Sequence, residues 1–131
     1  MAAPIRAPLK KVTLHAARSK AFPDGSIRHG YVFLAPLTVD GRIDLDAWKA
    51  RRGECFVRRF WGDDPAERGL LVHRPGGRGG STWAFEYGKA AALDEEAPGY
   101  RFADHAFRVG EYVSIRGEDG ELLTFKVVDV S

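Results

Sequence analysis

The stretch "EYVSIRGEDGELLTFKVVDV" (residues 111–130) decides the fold. Two runs of alternating residues flank "EDGE", and Asp119-Gly120 inside it favours the tight turn of a β-hairpin. Successive side chains of a strand point to opposite faces. Val113 and Ile115 therefore fall on one side with Leu123, Phe125 and Val127, and the polar Ser114, Arg116, Thr124 and Lys126 fall on the other with Tyr112.

The same period of two recurs towards the amino terminus. "KKVTLHAAR" (10–18) sets Val12, Leu14 and Ala16 against Lys11, Thr13 and His15, and "FPDG" (22–25) then reads as a turn. "IRHGYVFLAP" (27–36) is rich in strand formers and stops at Pro36. "ECFVRRFW" (54–61) is a further strand, while "GLLVHRP" (69–75) and "STWAFEYG" (81–88) flank a glycine-rich turn at 76–80. One short helix is expected near 44–52 in "DLDAWKARRG": Asp44 suits the N-cap, Asp46 the first turn, Arg51 and Arg52 the last, and Gly53 the residue beyond. Asp64-Pro65 suggests a second, shorter helical turn, "KAAALDEE" (89–96) another, and "APGYRFADHAF" a long loop. The expected fold is mainly β. It is a single β-rich domain over 1–131, a small β-barrel or strongly bent antiparallel sheet of about seven strands. The last hairpin has the general look of the end of a small barrel, a form many unrelated barrels share, so it speaks for fold and not for function.

Composition narrows the class without naming a function. The 131 residues are 44% hydrophobic and 29% charged, an ordinary globular balance. Cys55 is alone, so no intramolecular disulfide forms. No apolar run reaches the ~18 residues of a membrane helix, and Lys10 and Lys11 interrupt any secretory signal, which points to a cytoplasmic protein. The chain lacks Asn and Gln, so polar recognition must use Arg, carboxylates, hydroxyls, His and backbone. Net charge is +2, yet residues 1–61 hold 12 basic against 5 acidic residues and residues 62–131 hold 8 against 13. Strands from the two halves can interleave in one sheet and cancel this difference.

"ECFVRRFW" raises the sharpest question, because two arginines sit inside an aromatic run. As a strand it places Cys55, Val57, Arg59 and Trp61 on one face and Phe56, Arg58 and Phe60 on the other. With the Cys55 and Val57 face inward, Arg59 must meet a carboxylate or reach water past its aliphatic stem. Phe56, Arg58 and Phe60 then form an outward row of ring, cation and ring. That row suits stacking against an anionic ring system. The more common arrangement is an ordinary sheet in which Arg58 pairs with a cross-strand acid such as Glu86 and the helix covers the rings.

The other sites are weaker. "HRPGGRGGST" lacks the lysine of a phosphate loop. His15, His29, His73 and His105 show no metal-ligand spacing, and "DGRIDLD" has its acids in the wrong order for a calcium loop. There is no Gly-x-Ser-x-Gly, and Cys55 in an apolar strand reads as a small hydrophobe. No catalytic residue, metal or cofactor is implied. The leading expectation is a non-enzymatic binding module whose partner is a protein, an anionic ligand or a nucleic acid, with no membrane. One rival is a nucleic-acid binder using Arg28, Phe56, Arg58, Arg59, Phe60 and Arg74. The other is a small-ligand barrel or enzyme with a pocket of His29, Tyr31, Trp83 and Tyr87. A basic stripe would favour the first rival and a cavity with converging polar groups the second.

Overall fold

The computed structural model describes residues 7–75, 81–87, 99–117 and 120–131. Among them, eight antiparallel strands close into a barrel: β1 (Leu9–Ala16), β2 (Ser26–Pro36), β3 (Phe56–Trp61), β4 (Asp64–His73), β5 (Ser81–Tyr87), β6 (Gly99–Ala103), β7 (Tyr112–Arg116) and β8 (Leu122–Val130). Each strand pairs with its neighbours in sequence, and β1 closes on β8 through pairs such as Leu14 with Val127. The last hairpin has the expected register, with Val113 opposite Phe125 and Ile115 opposite Leu123. All four turn inward, three of them fully buried and Leu123 partly. Gly120 adopts a left-handed φ of 84° in the turn; Asp119 lies outside the described residues. So do the expected helical turn at 89–96 and the glycine-rich turn at 76–80.

Two expectations change. The expected loop over "APGYRFADHAF" instead contains an eighth strand, β6, where Tyr100 and Phe102 alternate into the interior opposite Phe85 and Trp83. The helical turn expected at Asp64-Pro65 is the start of β4. Gly62, at φ 58°, turns the chain sharply after Trp61, so Trp61 pairs with Asp64. A register irregularity between Arg59 and Trp61 lets Pro65, which has no N–H to give, sit where the ladder is already broken.

The helix α1 (Leu45–Arg51) forms as expected, with Asp44 Oδ1 accepting from the Ala47 amide at 3.0 Å. Trp48 donates from Nε1 to the Leu71 carbonyl at 2.9 Å and meets Trp83 edge-on at 5.5 Å. The helix therefore packs at the barrel end where β4 finishes and β5 begins. Beyond it the chain tightens into a 3-10 turn, Arg52–Glu54, which contains Gly53 rather than ending before it. Phe33, Phe85, Phe102 and Phe107 fill the adjoining half of the interior, with ring centroids 4.9–6.5 Å apart. The other half is less completely filled, and the candidate site lies there. No described helix is long and apolar enough to cross a membrane.

Candidate ligand site at the open barrel mouth

β3 builds this site by sending Val57, Arg59 and Trp61 inward while Phe56 stands 58% exposed outside. Arg59 is the interior cation. Its side chain is only 13% exposed, and its guanidinium lies 4.0 Å from the Trp61 ring centroid and 4.8 Å from that of Tyr100. The cross-strand neighbour Glu67 brings Oε1 to 3.8 Å from Nη1, a loose contact with a carboxylate that is 52% exposed. Arg59 Nε is buried without a protein acceptor, and so is the Tyr87 hydroxyl without a protein partner. Native interiors seldom leave such groups unpaired, and a charged donor is the more expensive kind.

Arg59, Trp61 and Tyr100 line an open cavity of about 290 Å³ together with Tyr31, Glu121, Leu123 and Phe125. The volume is at the small end of the ~300–1,000 Å³ typical of ligand pockets. Burial pushes the Tyr31 hydroxyl well above the usual tyrosine range, with the neighbouring Arg59 opposing it, so the phenol stays protonated. Burial pushes Tyr87 the same way. For Arg59, burial works against the charge, but Tyr31, Tyr100 and Glu67 outweigh it and hold its pKa above the usual value. The mouth thus presents one interior cation with neutral phenols and apolar walls, and carboxylates at Glu67 and Glu121.

The local sequence explains the arrangement. Gly69 pairs with Tyr87, and a Cβ at residue 69 would lie 2.7 Å from Tyr87 Cδ1 and 2.1 Å from the Glu86 carbonyl oxygen. Only glycine lets the Tyr87 ring lie across this point. Along β2, His29, Tyr31 and Phe33 run from rim to interior. His29 Nδ1 lies 2.7 Å from Ser26 Oγ, and its ring packs on Trp61 at 4.9 Å and Phe22 at 4.7 Å.

Of the four residues expected to line a pocket, Tyr31 lines the cavity, Tyr87 packs behind Tyr100 and His29 stands at the rim. Trp83 is separated from them, near α1 and beside His73 at 4.9 Å. The proposed basic set also divides. Arg59 points in, while Phe56 and Arg58 face out and Phe60 is half-buried beneath Arg58, whose guanidinium lies 5.6 Å from its ring. Arg28 is engaged by Asp63. Arg74 donates from Nε and Nη2 to the two carboxylate oxygens of fully buried Glu86 at 2.9 and 3.0 Å. Glu86 therefore pairs with Arg74 and not with Arg58, and α1 packs against Trp83 and Leu71 rather than over the Phe56 row. Residue types did not single out Glu67 or Tyr100, because each reaches the site only through strand register.

No family model, curated protein or solved structure matches this chain. Among the described residues, no group of three or more His, Cys, Asp or Glu is placed to hold a metal ion.

Proposed function

We propose that the protein is a non-enzymatic binding barrel whose mouth takes up a small, largely apolar molecule bearing a carboxylate or a similar planar anion. The observation that carries this is Arg59, an interior guanidinium on a cavity wall with Nε lacking a protein acceptor and Glu67 only loosely placed at 3.8 Å. A guanidinium offers two parallel N–H donors to a carboxylate. Stacking against Trp61 and Tyr100 fixes its plane. The ligand's apolar body would then lie against Tyr31, Leu123 and Phe125.

Benzoate and its neutral counterpart benzyl alcohol test the reading, with tryptophan fluorescence and thermal unfolding as readouts. Benzoate is expected to change the emission saturably and to raise the melting temperature more than benzyl alcohol does. Arg59→Met should abolish the preference for the anion. Equal responses to the two compounds, or a benzoate response that survives Arg59→Met, would refute the assignment.

A further inference from the structure

A second surface lies outside the barrel wall, on the opposite side of β3 from the cavity. Register places Arg58 beside Val32 on β2 and directly opposite Arg68 on β4. One row away, Lys11 pairs with Leu34. Together with Phe56 these residues line an open groove of about 380 Å³ whose floor is mainly apolar. Facing arginines on adjacent strands stand roughly 5 Å apart at Cβ and repel each other. Among the described residues, Lys11, Arg58 and Arg68 have no carboxylate within ion-pair distance. The groove thus combines three unneutralised cations with a phenyl ring that is 58% exposed.

Both features call for an anionic partner with flat apolar faces. We infer that the outer face of β1–β4 binds single-stranded nucleic acid, with a base stacked on Phe56 and phosphates against Arg58, Arg68 and Lys11. Cations along a groove with an open aromatic face are the usual means of holding a single strand without reading its sequence. An acidic peptide would satisfy the charges alone. The Phe56 ring distinguishes the two, because base stacking makes affinity depend on it. This inference is independent of the ligand proposed for the barrel mouth, which lies on the other face of the strand.

The test is fluorescence anisotropy with a fluorescein-labelled oligothymidylate of about twelve nucleotides, within the usual span of one barrel, titrated at several salt concentrations. The parent protein should bind, with an affinity that falls steadily as salt rises. Replacing Arg58 and Arg68 together by Ala should flatten the log–log salt slope by about 1.4, the release expected from two phosphate contacts on a single strand. Phe56→Ala should weaken binding about tenfold and leave the slope unchanged. Thermal unfolding of the double variant should show no loss of stability, since it removes a repulsion, and its benzoate response should be that of the parent. No binding at low salt overturns the inference. So does poly-glutamate competing as well as the oligonucleotide with Phe56→Ala having no effect, which would assign the face to an acidic protein.

Discussion

The Arg59 guanidinium lies 4.0 Å from the centroid of the Trp61 ring, and both side chains point into the barrel. The preceding residue, Arg58, stands on the outer face against Phe60. Adjacent arginines on one strand therefore occupy two unlike environments. Replacing Arg59 by Ala removes the stacking on Trp61 and Tyr100 and enlarges the cavity, so a loss of about 1–3 kcal/mol is expected. Arg58→Ala should stay within about 0.5 kcal/mol of the parent, or gain stability by relieving Arg68. Urea unfolding of the two variants checks this, and equal losses would contradict the two-face assignment.

Phe125 is fully buried and meets Tyr31 at 5.2 Å and Trp61 at 6.4 Å between ring centroids. It supports the cavity floor as well as the last hairpin. Phe125→Ala should cost about 3–5 kcal/mol by urea unfolding. A midpoint close to the parent's would mean that this face is not core.

The Arg74–Glu86 pair is two-pronged, and its carboxylate is fully buried. Arg74→Ala would take both guanidinium donors from that buried carboxylate, at an expected cost of about 3–5 kcal/mol. Replacing both residues by apolar ones should recover much of the loss. Unfolding of the single and double variants measures this, and a harmless Arg74→Ala would show that other groups serve Glu86 equally well.

Stability should fall at both ends of the pH range. His73 packs between Trp48 and Trp83, and burial, aided by the Lys49 charge, holds its pKa below the ordinary histidine value of 6.5. Burial lowers His15 in the same direction. The unfolded chain therefore binds more protons as pH falls through 6.5, and stability drops there until the lower folded pKa is passed. At the alkaline end, burial raises the Cys55 thiol from 9.0 to about 11. That contribution is intact below 9.0 and is lost as pH rises through about 11. His73→Phe should flatten part of the acid limb and Cys55→Ala part of the alkaline limb of the urea midpoint plotted against pH. Limbs unchanged by these substitutions would contradict the assignment.

The barrel was legible wherever one strand face is clean. Val12, Leu14 and Ala16 on β1, and Val113, Ile115, Phe125 and Val127 on the last hairpin, alternate as strongly in the sequence as in their burial. β6 is hard to read because it is short, begins at a glycine and runs into "DHAF", so only Tyr100 and Phe102 carry the alternation. The opposite fates of Arg58 and Arg59 followed from strand period alone. Their partners did not, since nothing local places Glu67 beside Arg59 or Arg68 beside Arg58. Those pairs depend on the Gly62 turn and on the irregular register between Arg59 and Trp61. The Asp44 cap and the charges of α1 were readable because helix ends are satisfied by residues close in sequence.

The central claim concerns one hydrogen atom, the Nε–H of Arg59. In a ¹⁵N–¹H spectrum a buried arginine Nε–H that gains a carboxylate acceptor moves downfield and exchanges more slowly with water. Titrating benzoate should move this resonance, identified by its loss in Arg59→Met, in step with the Trp61 indole N–H, and both should saturate together. An Arg59 Nε–H that stays fixed while benzoate moves other resonances, or a spectrum that benzoate leaves unaltered, would contradict the account.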